Sequence, residues 1–251
     1  MNATRLMAFT FAAAMLVTGT SFAADDAPHW EYKGDSGPAN WGDLHESFAA
    51  CKNGKMQSPI DLASANTRTK VSVKVSYKPT PLTVLNNGHT VQFNVNNGSS
   101  ISLGGKTFKL LQFHFHTPSE HVMHGKPLPL EAHFVHKSAD GALAVIGVVF
   151  AEWSNNQILK PLMKHIPMEK TKPVHQADVM IDLAAMLPAN RQLFRYMGSL
   201  TTPPCSEGVN WMVMKTPVFA SKEQIAALNK AMGDNARPKQ PANNRLIIAP
   251  K

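Results

Sequence analysis

Residues 112–121 read QFHFHTPSEH. In an extended strand alternate side chains share a face, so Gln112, His114 and His116 point one way and Phe113 and Phe115 the other. The phenylalanines mark a core face. The imidazoles mark a second face, and burying such a ring without a partner costs free energy. A partner common to both rings is therefore expected there. A second stretch, LEAHFVH at 130–136, repeats the pattern, with Glu131, His133 and Val135 on one face. An antiparallel return strand would bring His133 beside His114 and His116. Three neutral imidazoles from two strands suit a zinc ion whose fourth position stays open. Each ligating ring needs an acceptor on its other nitrogen. Gln112 and Glu131 each precede a ligand by two residues, on its own face. A structural zinc would want a fourth protein ligand, and neither cysteine is near in sequence, so the open position points to catalysis.

The run HFHTPSE also fits an H-x-H-x(3)-E metal core of the cupin type, which would recruit Glu120 as a ligand. That reading expects a glycine-rich lead-in and a later histidine motif, and the glycines here fit it poorly. Taken as ordinary packing residues, the histidines would each need their own polar partner.

Composition bounds the setting. The chain has 251 residues. At its start Arg5 precedes an apolar run, Leu6 to Val17, and Ser21-Phe22-Ala23 supplies small residues where a signal peptidase reads. This predicts a signal peptide over 1–23 and one mature domain over 24–251. The apolar run is too short to span a bilayer, and no later segment is a candidate, so no membrane span is expected in the mature chain. Two cysteines, Cys51 and Cys205, suggest one disulfide in an exported chain, with two buried free thiols as the alternative. The formal net charge is +8, with scattered lysines and no block of like charge. This is a solvated surface rather than a nucleic-acid patch; anionic substrates or an acidic cell surface stay open.

Along the chain, 28–53 reads as a loop-rich segment laid over the domain. KVSVKVSY (70–77) alternates as a strand. LTVLNNGHTVQFNV (82–95) reads as two strands around an Asn-Asn-Gly turn. SSISLGGKTFKLLQFHFH (99–116) reads as a hairpin around Gly104-Gly105. LEAHFVHK and ALAVIGVVFAEW follow, the latter a buried central strand. One helix is clear: Ser221 caps it, Gln224 stands three residues on, and Gly233 stops it. DLAAML and LKPLMKHI predict short helices. The class is mainly β, an α+β single domain with a central, twisted, mostly antiparallel sheet flanked by short helices.

With HWEY (29–32), QSPIDL (57–62), NNGH (86–89), SLTTPPCSEGVNW (199–211) and RPKQPANNR (237–245) added to the two histidine stretches, the chain resembles the α-class carbonic anhydrases over nearly its whole mature length. The resemblance implies reversible hydration of carbon dioxide to bicarbonate and a proton by zinc-bound hydroxide. It implies zinc on His114, His116 and His133, with Gln112 and Glu131 behind them. It implies a gate of Thr201 and Glu120: an ionised Glu120 only accepts, so it takes the threonine proton and leaves that hydroxyl to accept from the hydroxide. Val135, Val145, Leu200, Val209 and Trp211, with Thr201 and Thr202, match the substrate pocket. His89 matches the proton shuttle, with Asn87 and Tyr32 near its water chain. His121 is expected to have a structural partner; His124, His136, His165 and His175 are left to surface or packing. Cys51 and Cys205 fall where exported members carry their disulfide. Ser58-Pro59 and Pro203-Pro204 fall at cis bonds. The resemblance implies carbon dioxide and bicarbonate as small-molecule partners; no nucleic acid is expected, the chain is expected as monomer or homodimer, and the signal peptide predicts export, to the periplasm. A silent relative serving as a binding module would have lost a ligand histidine; this chain keeps all three.

Overall fold

The structure, a computed structural model, describes residues 28–251 apart from 124; the expected signal peptide and His124 lie outside the described residues. The strands are β1 (Thr67–Arg68), β2 (Lys74–Ser76), β3 (Thr80–Asn86), β4 (Val91–Asn94), β5 (Ser100–Leu103), β6 (Lys106–His116), β7 (Val122–Met123), β8 (Lys126–Pro127), β9 (Leu130–Ser138), β10 (Leu143–Glu152), β11 (Val174–Ile181), β12 (Leu193–Ser199), β13 (Glu207–Met214), β14 (Val218–Ala220) and β15 (Ile247–Ala249). All but β7 and β8 join one sheet whose main path runs β1-β15-β12-β13-β10-β9-β6-β4-β3-β11. Pairing is antiparallel except at β1–β15, β10–β13 and β10–β14.

Around the histidines the central strands β6, β9 and β10 are covered on both faces and alternate between two buried environments; the first half of β6 and the end of β9 leave one face open to water, at Thr107, Lys109 and Lys137. One face carries Phe93, Phe113, Phe115, Phe134 and Phe150 in the main core, with Phe93 stacked on Phe113 at 4.7 Å between ring centres. The other carries the histidines and a smaller apolar cluster around Val145, Val209 and Trp211. The β6–β9 register places His114 opposite His133, and His116 opposite Glu131.

The two predicted hairpins are present: β3 pairs with β4 across Asn86–Thr90, and β5 with β6 across Gly104-Gly105. Both glycines of the second turn have positive φ, a region that suits residues without Cβ. The helix Lys222–Met232 has the expected capping box and ends at Gly233. The other predicted helices are single turns, Lys160–Met163 and a 3-10 turn at Ala184–Met186. Where 28–53 reads as loop, the chain forms short helical turns at Trp41–Leu44 and Ala50–Asn53. KVSVKVSY is a strand only over Lys74–Ser76. Cis bonds occur at Ser58-Pro59 and Pro203-Pro204, and also at Thr117-Pro118. Cys51 and Cys205 form a disulfide, which ties the N-terminal aromatic cluster of Trp30, Tyr32 and Trp41 to the loop after β12.

Candidate metal centre

One ring nitrogen from each of His114, His116 and His133 lies within 4.8 Å of the other two. The opposite nitrogens are held. His114 Nδ1 is 2.8 Å from Gln112 Oε1, and His116 Nδ1 is 2.8 Å from the Asn235 carbonyl. A carbonyl can only accept, so His116 Nδ1 carries the proton and its Nε2 presents a lone pair. That Nε2 is buried and has no partner among the described residues. His133 Nε2 is 3.0 Å from Glu131 Oε1, in a bent contact short of a well-directed hydrogen bond; this leaves His133 Nδ1 for a ligand. Burial lowers the pKa of all three rings: His116 falls to about 4, and His114 is held well below the ordinary value by burial and the neighbouring imidazoles. The rings are therefore neutral at pH 7, as metal binding requires.

Glu131 is fully buried, and burial alone would raise its pKa. His121 and His133 beside it outweigh that and hold it well below the usual carboxylate range. Its Oε2 accepts from the backbone N–H groups of Glu120 (2.9 Å) and His121 (2.8 Å), and its Oε1 lies 2.7 Å from His121 Nδ1. His121 Nε2 is 2.7 Å from the Tyr196 hydroxyl, so its expected structural partners are present. His136 is buried, between Tyr77 and the Ala144 carbonyl. His175 is exposed and meets Thr83.

Glu120 Oε1 accepts the Arg237 backbone N–H at 2.9 Å. Burial pushes the carboxyl up to about 7, opposed by His133, the Arg237 N–H and the Thr201 hydroxyl. Among the described residues no well-formed hydrogen bond closes on its Oε2. The carboxylate stays 3.6 Å from His116 and 3.8 Å from His133, each time at Nδ1, and stands outside the group of converging ligand atoms.

Val135, Val145, Trp211 and Tyr196 line up as one row across β9, β10, β13 and β12. Together with Val209 and Leu200 they belong to the smaller apolar cluster. Thr201 is buried and Thr202 half-buried. Their loop is fixed by Trp211 Nε1 donating to the Ser199 carbonyl, and by Ser58 N donating to Ser199 Oγ.

A cavity of about 140 Å³ is lined by Trp30, Tyr32, Asn87 and His89 together with Gln112, His114, His116 and Thr202. That volume holds several waters. Asn87 Oδ1 shapes the turn by accepting from the N–H groups of His89 and Thr90. The His89 ring stacks on Trp30, 3.7 Å between centres, and its Nδ1 is buried without a partner. Burial lowers its pKa. Larger cavities, such as one of about 440 Å³ beside Lys70 and Arg191, contain no convergent donor set, so the chemistry and not the size identifies the site.

Sequence reasoning missed Asn235. Its carbonyl fixes His116, its side chain accepts from Thr117 N, and its amide donates to the carbonyls of His89 and Phe115. A backbone carbonyl has no residue signature, so only the neighbouring RPKQPANNR motif hinted at this segment.

The family model for eukaryotic-type carbonic anhydrases matches residues 36–251. A carbonic anhydrase of Pectobacterium carotovorum is 43% identical over 237 residues, covering 94% of this chain and 97% of that one. Among solved structures, the α-carbonic anhydrase of Thermovibrio ammonificans in complex with sulfanilamide has a TM-score of 0.85 at 43% identity, covering 88% of this chain and 99% of that one. That of Photobacterium profundum has a TM-score of 0.82 at 44% identity, covering 88% and 100%.

Proposed function

As a member of the eukaryotic-type, or α-class, carbonic anhydrase family the protein is a carbonic anhydrase, and we propose that it interconverts carbon dioxide and bicarbonate with zinc held by His114, His116 and His133. The observation that carries the ligand set is the buried, unpartnered Nε2 of His116, whose lone pair the Asn235 carbonyl leaves free. Zinc bound there supplies the Lewis acidity that makes water a nucleophile near neutral pH. Gln112, Asn235 and Glu131 hold the three rings in ligating orientation.

Thr201 orients the attacking oxygen with its hydroxyl, whose proton is directed towards Glu120. Arg237 N–H anchors the far oxygen of that carboxylate. Carbon dioxide is uncharged and weakly hydrogen-bonding, so it rests against the apolar row of Val135, Val145 and Trp211, with Val209, Leu200 and Thr202 closing the pocket. The proton produced leaves across the cavity shared by His114 and His89, past Tyr32 and Asn87.

The catalytic domain is assigned to 24–251, after a signal peptide over 1–23. The Cys51–Cys205 disulfide supports export, since such bonds persist in oxidising compartments, and a periplasmic location fits. No helix among the described residues is long and apolar enough to cross a membrane.

The test is stopped-flow carbon dioxide hydration with metal analysis. The wild type should carry one zinc per chain, and His133→Ala should lose most of the metal and nearly all activity. Stoichiometric metal with full activity in that variant removes the ligand assignment.

A further inference from the structure

Lys109 on β6 stands directly opposite Lys137 on β9. Like charges at directly paired positions destabilise a sheet, and among the described residues no carboxylate pairs with either. The described lysines with carboxylate partners are Lys33, Lys52, Lys106 and Lys239; both Lys109 and Lys137 are exposed.

Register extends the pair into a face. Lys109 is opposite Ser100, which is opposite Ser76; one row further out, Thr107 is opposite Ser102, which is opposite Lys74. Their sequence neighbours Ile101, Phe108 and Leu110 point into the core, so the lysines and hydroxyls share the outer face. Asp140, at the turn after β9, is already engaged by Lys106 and Ser138. The extra residue of the β6 bulge, Leu111, lies between the lysine row and Gln112 and is 43% exposed. This face continues the floor of the metal site: Lys137 follows His133 and Val135 on the same side of β9, roughly 13 Å from His133 along the strand.

We infer that this face docks the enzyme on an anionic lipid surface, with Lys74, Lys109 and Lys137 against headgroup phosphates and Leu111 at the acyl boundary. The face is an open run of strands, where the pull of any one exposed charge is screened within about 10 Å; many charges presented together are needed. Lysines around an exposed leucine suit a bilayer surface. The face presents no arginine fork or aromatic platform of the kind that reads nucleic-acid bases. A second copy of the same face would repel it. Docking would set the sheet face that carries the metal site beside a bilayer that passes uncharged carbon dioxide and retains bicarbonate.

The test is co-sedimentation of the full protein with phosphatidylcholine vesicles, with and without phosphatidylglycerol. Binding should require phosphatidylglycerol and weaken as salt rises. Each lysine near a charged surface contributes a measurable share, so the double variant Lys109→Ser/Lys137→Ser should bind about 30-fold more weakly. It should retain full hydration activity in solution, which also reports its folding. A control with the same charge change on the distant helix, Lys222→Ser/Lys230→Ser, should bind nearly as the wild type. The proposal is overturned by equal binding to neutral vesicles, by unchanged binding of the strand variant, or by an equal loss in the helix control. It is also overturned if duplex DNA at matched salt displaces the vesicles through the same two lysines.

Discussion

Histidine 89 depends on its neighbours for both its position and its titration. Handing a proton from an acid of pKa near 7 directly to water is uphill by roughly 12 kcal/mol, which caps turnover at about 10⁴ s⁻¹. An imidazole makes the transfer nearly level. His89→Ala should therefore keep its zinc but turn over slowly in weak buffer, and added imidazole should restore much of the rate; a wild-type rate in weak buffer would rule the shuttle out. The Trp30 ring that covers His89 adds to the burial that lowers its pKa. Trp30→Ala should raise that pKa towards the ordinary value, as read by NMR titration of the ring. For the gate, Thr201→Ala should retain metal and lose about 10²-fold in rate at saturating buffer. The donor residues at this scale are legible in sequence because their polarity conflicts with an apolar strand. The Asn235 carbonyl is not, since every residue has one.

Pairing, rather than any single side chain, brings the three rings together. His133 on β9 is flanked by His114 on β6 and by Gly147 on β10. A Cβ at 147 would come 2.8 Å from Glu131 Oε1, the atom that steadies His133. Gly147→Ala should thus displace Glu131 and lower zinc affinity by 10- to 100-fold, the usual scale for losing such support, with a competitive chelator as the readout; unchanged affinity would show that Glu131 shifts freely. The alternation of β6 and β9 around the histidines is legible because both faces are buried there and chemically different. β11 leaves no such trace: its register shifts between Gln176 and Met180, and its exposure follows no period of two. KVSVKVSY alternates throughout, yet only Lys74–Ser76 finds a partner strand, because alternation reports a half-covered face and not a neighbour.

At the scale of the whole molecule two terms hold distant parts together. The disulfide closes a separation of 154 residues, and its reduction should cost about 5 kcal/mol by chain entropy, measurable as a fall in the urea midpoint. His136 adds a pH term. Burial lowers its pKa to about 4, against the opposing carbonyls of Ala144 and Phe134, while the unfolded ring titrates near 6.5. Stability from the neutral ring is complete above about pH 6.5 and is lost as pH falls towards 4, because the unfolded chain takes up a proton that the folded one refuses. Between pH 7 and about 4.5 the wild type should lose roughly 2–3 kcal/mol more than His136→Gln; parallel losses in the two proteins would exclude this origin. The proposed ligands, His114, His116 and His133, sit in the interior of the sheet, on the stretches of β6 and β9 that are covered on both faces. Such strands open only when the whole chain does. The amide protons of these histidines should therefore exchange with solvent at the rate set by global unfolding, while those of β11 and β1 exchange far sooner, so the catalytic geometry is the last part of the molecule to be lost.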